Sequence, residues 1–180
     1  AGGGALAPAE LPRAPRGDVI GDLRWRDVRE SSKLSPLLAD AETMCRREFD
    51  ENLEEVLDAE GIKMGLLVSV GEPGEDSACL GFITYKFWGP PLKAMSVSRV
   101  AVPGRYQMMG FGRQLVRWAV EKAKQKSRHE CDRVTLSAIQ KAVPFYERLN
   151  FVPVADDDVP DDDGPKASDS VKMELRFGRR

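Results

Sequence analysis

A glutamine and two glycines, spaced as Gln107-Met108-Met109-Gly110-Phe111-Gly112, are the residues of this chain best arranged to hold a ligand. Ahead of them Val97, Val100 and Val102 crowd β-branched side chains into a segment without helical period, the mark of a strand. Pro103-Gly104 then marks a turn. Behind them Leu115, Val116, Ala119 and Ala123 recur at helical spacing. A helix that starts there offers backbone N–H groups with no acceptor inside the helix, which makes an anion site. Glycine at 110 and 112 puts no side chain between a phosphate and those donors. Two other phosphate-binding turns match less well. A dinucleotide turn needs a third glycine where Leu115 stands, and a P-loop needs Gly-Lys-Ser/Thr where Gly112-Arg113-Gln114 stands.

The chain around this turn has the size of one folded domain. Its 180 residues suffice for a full core, and 42% hydrophobic with 31% charged residues is ordinary for a soluble globular protein. The net charge is −2, so no global basic field recruits nucleic acid. The basic clusters Lys122, Lys124, Lys126, Arg128 and Arg176, Arg179, Arg180 read as a solvated helix face and a chain end. No apolar run approaches the roughly 18–20 residues of a membrane span. Cys45, Cys79 and Cys131 are odd in number and far apart, which suits reduced thiols rather than disulfides or zinc ligands. His129 is the only histidine and lies in a polar stretch, which excludes chemistry needing several. No metal is expected.

Residues 1–20 read as a flexible N-terminal extension, rich in Ala, Gly, Pro and Arg and without the apolar core of a secretory signal. The protein is accordingly expected to be soluble and intracellular, cytoplasmic or, if the extension is the remnant of a processed precursor, plastid or mitochondrial. Residues 22–28 alternate polar and apolar types and predict a strand. Ser35-Pro36 predicts a helix start, followed by the apolar stripe Leu34, Leu37, Leu38, Ala41, Met44, Cys45. A second short helix is predicted over about residues 51–60, burying Leu53, Val56 and Leu57 and stopping at Gly61. Strands at 64–70 and 79–87, with an acidic glycine-bearing stretch between them, predict a hairpin. After the motif come a strand at 133–138, a helix at 141–149 and a last strand at 171–177.

The motif residues in this order resemble the (Gln/Arg)-x-x-Gly-x-(Gly/Ala) signature of the GNAT superfamily of acyl-CoA-dependent N-acyltransferases. A second resemblance lies in Leu136-Ser137-Ala138 and in Val143-Pro144-Phe145-Tyr146-Glu147-Arg148-Leu149-Asn150-Phe151, similar to the family's Phe-Tyr-x-x-Leu-Gly-Phe segment. The resemblance implies an α/β (α+β) single domain over residues 21–178, with a mixed, mostly antiparallel sheet of about six to seven strands and about four helices. Acetyl-CoA would be the cofactor. Val100, Ala101, Val102, Gln107, Met108, Met109, Gly110, Phe111, Gly112 and Arg113 would bind it, and Tyr146 would be the general acid. The implied reaction moves an acetyl group to a primary amine of a small molecule, peptide or protein.

Four features depart from the family pattern. Met108 stands where glycine is usual, Asn150 replaces the glycine before Phe151, and the strand end carries Ile139 where Asn or Gln is frequent. The motif strand offers Ser96, Ser98 and Arg99 where an acidic base is often found. The departures keep open a second reading, a GNAT-fold accessory subunit of a larger, perhaps organellar, assembly with weakened catalysis. Two acidic stretches remain. Glu48, Asp50, Glu51, Glu54 and Glu55 could attract a cationic amine or form a solvated face. The aspartate-rich segment within 155–170 reads as a solvated loop, because it lacks the calcium-loop spacing.

Overall fold

The computed structural model describes residues 15–178 other than 33, 72–74, 156, 158, 162–163 and 166. The expectations for residues 1–14, the tip of the hairpin loop, Asp156, Asp158, Asp162, Asp163, Arg179 and Arg180 lie outside the described residues. Seven strands form one sheet: β1 (Arg16–Leu23), β2 (Lys63–Val70), β3 (Cys79–Trp88), β4 (Ala94–Ala101), β5 (Arg133–Ala138), β6 (Val152–Pro153) and β7 (Val171–Arg176). Their order is β1-β2-β3-β4-β5-β7-β6, and only the β4–β5 pair is parallel. The helices are α1 (Trp25–Glu30), α2 (Ser35–Phe49), α3 (Leu53–Asp58), α4 (Phe111–Lys124) and α5 (Val143–Glu147), five among the described residues against about four expected. The extra one is α1.

The region of α1 corrects the sequence reading. The strand expected at 22–28 lies earlier, at Arg16–Leu23, so the boundary drawn at residue 20 falls inside β1. Asp22 adopts a left-handed backbone with φ of 57° and turns the chain, after which Trp25 to Glu30 coil. Asp27 accepts from the Arg24 N–H at 3.1 Å, a cap that the alternation of apolar residues conceals. The strand itself, Arg-Gly-Asp-Val-Ile-Gly-Asp-Leu, has little β propensity, and tertiary contacts supply what propensity lacks. Its glycines make room for a ring. A Cβ on Gly21 would clash with the Trp118 indole of α4, and one on Gly65 of β2 would stand 2.9 Å from it. The helix expected at 141–149 is shorter, a 3₁₀ turn at Gln140–Ala142 followed by α5.

Each face of the sheet carries its own core. Leu115, Val116, Ala119 and Ala123 of α4 pack with Leu67, Ile83, Val97, Val134 and Leu136. On the other face Leu37, Leu38, Ala41 and Cys45 of α2 and Leu53 and Leu57 of α3 pack with Met64, Leu66 and Phe82. Alternate residues of β2 and β3 therefore serve opposite cores, and the strands read as nearly continuous apolar runs. The three cysteines are free and buried; burial raises all three thiol pKa values, those of Cys45 and Cys79 to about 11. They are inert packing residues.

Candidate active site

The sheet opens at one place. Along β3 the register runs Thr84↔Arg99 and then Tyr85↔Val97, so Ser98 is an extra residue, a β-bulge in β4. Its hydroxyl lies 2.8 Å from that of Thr84 and accepts from the Arg99 Nη1 at 3.3 Å. The parallel pairing with β5 ends just before the bulge, at Val97↔Leu136. Past it β4 stays on β3 as far as Ala101, while β5 stays on β7 as far as Ala138. The parallel strands thus part at their C-terminal ends, where open α/β sheets bind ligands.

The motif loop sits at that mouth. Tyr106 N–H donates to the Pro103 carbonyl at 2.8 Å and closes a 3₁₀ turn over Gly104–Tyr106. The Gln107 side chain donates to the Val102 carbonyl at 3.1 Å and ties the loop back to the strand end. Met108 takes the left-handed conformation that its glycine-like place demands, with φ of 63°, and its side chain is fully exposed. Gly110 follows at φ 86° as the N-cap of α4, with no side chain capping the helix. Phe111 is buried in the core and anchors the helix start, where the N–H groups of Phe111, Gly112 and Arg113 have no acceptors within the helix.

Between the loop with the start of α4 and the segment around α5 lies a cleft of about 450 Å³. Of the residues named from sequence, Val102, Gln107, Met108, Gly110, Phe111, Gly112 and Arg113 line it. Val100, Ala101 and Met109 do not: Val100 packs on the α4 core, Ala101 is buried on the opposite face, and Met109 is half exposed. Tyr106, Phe145, Arg148 and Leu149 complete the lining. Sequence reasoning missed them as binding residues, although three of them belong to the Phe-Tyr-x-x-Leu segment. A Cβ on Gly112 would reach Phe145 at 3.7 Å and Val102 at 3.9 Å, ordinary contact distances, so the cleft is narrow there but open. Helix terminus, glycines and volume all fit a ligand that carries phosphates.

Tyr146 stands beside this cleft and is not part of its lining. Its ring is edge-on to Phe145 at 5.0 Å and to Phe151 at 5.8 Å. Burial pushes its phenol up to about 12, so it keeps its proton at neutral pH.

A second cavity, of about 320 Å³, is lined by Asp50, Glu51, Asn52, Glu55, Val56, Ala59, Ile62 and Arg99. Arg99 is 5% exposed and donates from Nε to Glu51 Oε2 at 2.5 Å and from Nη2 to Glu51 Oε1 at 2.9 Å. The acidic cluster is thereby resolved into parts. Glu51 turns inward to Arg99, Glu48 lies 3.8 Å from Arg47, and Glu54 and Glu55 occupy the first turn of α3, where negative charge suits the helix dipole.

A parted parallel pair beside a helix start is the ligand-binding arrangement of open α/β sheets. A model of the Acetyltransferase (GNAT) family matches residues 25–151, and the chain belongs to that family, which uses acetyl-CoA. Solved structures agree on the fold. Arabidopsis thaliana NAA60 in complex with a bisubstrate analogue superposes with a TM-score of 0.61 at 17% identity, over 89% of this chain and 100% of the other. Tetrahymena GCN5 gives 0.58 at 15% identity, covering 91% and 96%. A Bacillus subtilis acetyltransferase in complex with CoA gives 0.54 at 19% identity, covering 90% and 99%. A comparison with curated proteins found no match. No helix among the described residues is long and apolar enough to cross a membrane, and no group of their acidic, histidine or cysteine side chains could hold a metal ion.

Proposed function

We propose that this protein is an N-acetyltransferase acting on a primary amine, with the cofactor in the Val102–Gly112 cleft and the acceptor entering from the Glu51–Arg99 side. The observation that carries the reading is the parting of β4 from β5 after Val97↔Leu136, with the free N–H groups of α4 at its mouth. When bound, acetyl-CoA supplies the acetyl group as a thioester. The N–H groups of Phe111, Gly112 and Arg113 would hold its pyrophosphate, with no side chain on Gly110 or Gly112 in the way. Backbone groups of Val100 to Val102 would hold the pantetheine arm, and an N–H near Val102 would stabilise negative charge on the carbonyl oxygen of the bound thioester.

Tyr146 is the proton donor in this reading. Its phenol carries its proton at neutral pH, as a general acid must. The amine's own proton leaves through water to Asp50, which lines the acceptor cavity. Arg99 fills the place on β4 from which a strand carboxylate would otherwise act.

The test is thermal unfolding and titration calorimetry with acetyl-CoA. A ligand at one hundred times its dissociation constant stabilises by about 2.7 kcal/mol, a midpoint shift of several degrees. Gly112→Glu should abolish that shift by filling the cleft and repelling the pyrophosphate. No shift at millimolar acetyl-CoA, or an unchanged affinity in Gly112→Glu, overturns the assignment. Binding without turnover on any amine of a broad panel would favour the accessory-subunit reading.

A further inference from the structure

The end of the sheet opposite the cofactor mouth carries cations that the fold does not neutralise. Three chain segments meet there. After α4 the Asp132 N–H donates to the Lys93 carbonyl of the β3–β4 turn at 2.8 Å, and past β7 the Phe177 N–H donates to the Asp132 carbonyl at 3.0 Å. Lys126 and Arg128 follow the end of α4 and are exposed, and Lys93 is half-buried. Among the described residues none of these three makes an ion pair. Lys126 Nζ lies instead over the Phe87 ring at 5.2 Å, and the Arg128 guanidinium over that of Phe177 at 5.1 Å. Of the carboxylates in the α4–β5 turn, Glu130 accepts from the Ser127 hydroxyl at 2.8 Å and Asp132 keeps one oxygen buried.

An apolar tip stands at the same end. Pro90 and Pro91 of the β3–β4 turn are exposed, and Leu92 is 38% exposed. The tip is a fixed turn: the Leu92 and Lys93 N–H groups donate to the Gly89 carbonyl at 3.1 and 3.2 Å, and Arg133 Nη2 donates to the Leu92 carbonyl at 3.4 Å. Beside it Trp88 is half-buried, with its indole N–H on the Ser96 hydroxyl at 2.9 Å and Lys86 Nζ over its ring at 4.2 Å. Apolar side chains next to a tryptophan and several cations suit the headgroup region of a bilayer, where the first enter between lipids and the last meet lipid anions. A nucleic acid fits less well. Bases stack on bare aromatic faces, whereas Phe87, Trp88 and Phe177 each have a cation over the ring.

We infer that this end of the molecule docks on a bilayer containing anionic lipid, with Leu92 and the two prolines at headgroup level and Lys93, Lys126 and Arg128 meeting the lipid charge. The contact is peripheral and needs no spanning segment. Strand β4 runs from Ala94 at this end to Ala101 at the mouth, about 23 Å, so docking leaves the cofactor cleft open to water. The inference does not depend on what that cleft binds.

The experiment is co-sedimentation of the full chain with phosphatidylcholine vesicles, with and without roughly a third phosphatidylserine. Affinity for the anionic vesicles should be at least tenfold higher than for the neutral ones. It should fall severalfold when salt rises from about 0.1 to about 0.5 M, because salt shortens the reach of the lipid charge. K126Q/R128Q should lose at least tenfold on anionic vesicles. L92S should lose severalfold on the same vesicles, and its affinity for a single-stranded oligonucleotide should equal the parent's. Melting curves of the free variants check that the fold is kept, and the salt series needs no variant. Equal binding to the two kinds of vesicle, binding to neither, or anionic binding that survives in K126Q/R128Q overturns the docking face. An unchanged L92S overturns insertion of the tip. An oligonucleotide bound more tightly than the anionic vesicles, and lost in K126Q/R128Q, overturns the membrane assignment in favour of nucleic acid.

Discussion

Arg99 and Glu51 face each other as a two-point fork, at 2.5 and 2.9 Å, and tie the bulged strand β4 to the junction of α2 and α3. The arginine lies next to the bulge residue Ser98 and three residues before Val102 of the cleft. The Arg99 side chain is 4% exposed and that of Glu51 29%, so the two ends of the pair are unequal. Removing the carboxylate takes from the deeper charge the two hydrogen bonds of the fork. Glu51→Ala should therefore lower unfolding stability by about 2–3 kcal/mol, less than the roughly 3–5 of a fully buried pair because Glu51 is partly wet. Arg99→Met should cost less, since the remaining carboxylate can turn to water. Urea unfolding of both variants checks the ranking, and the reverse order would contradict it.

Met108 is held at φ 63° with its side chain wholly in solvent, so it suffers left-handed strain without packing in return. Met108→Gly should stabilise the fold by roughly 0.5–1 kcal/mol, the relief of strain less the added freedom of the unfolded chain. The denaturant midpoint measures it. A loss of stability would mean that Met108 makes contacts beyond those of an exposed side chain.

Tyr146 makes edge-on ring contacts that phenylalanine would keep, and its hydroxyl is what the proposed chemistry needs. With an amine acceptor identified by screening, Tyr146→Phe should lower kcat by about a hundredfold or more. Affinity for CoA should stay within twofold. Because the phenol titrates only near 12, it should add no fall in rate below about pH 11. A variant with parental kcat would remove Tyr146 from the mechanism.

Asp22 gathers β1, β2, β3 and α4. Its carboxylate accepts from Lys122 at 2.6 Å and from the Tyr85 hydroxyl at 3.0 Å, with Lys63 at 3.7 Å. Partial burial pushes its pKa up, but the hydrogen bonds from Lys122 and Tyr85 and the lysine charges outweigh that and lower it. A lowered folded pKa means stability that is fully present above the unfolded value of about 3.9 and fades as pH falls through the lower folded one. Asp22→Asn should destabilise at pH 6–7 and match the parent near pH 2, read from paired thermal melts. A cost that is constant with pH would point to packing rather than charge.

Much of this protein was legible before folding. The Val-rich strand, the Pro-Gly turn, the spaced glycines and the periodic helix after them are local features, and local propensity decides them. So is the 133–138 strand, which the structure places at Arg133–Ala138. Strand β1 was not legible, because glycines and aspartates become a strand only when β2 pairs with them and Trp118 of α4 lies across them. Sequence periodicity likewise carries no sign of the Ser98 bulge, since one extra residue shows only against a partner's register.

The sequence by itself determined the glycine-bearing turn, the helix start after it and the family to which the chain belongs, for the donors at a helix start arise from the helix's own backbone. Only the tertiary structure decided how wide the cleft is, that Glu51 of one helix junction reaches Arg99 of a strand, and that Arg148 comes beside Arg113 and Arg117. Those meetings join residues from 31 to 48 positions apart along the chain. Charge and shape at such distances are set by packing, and packing is a property of the folded whole.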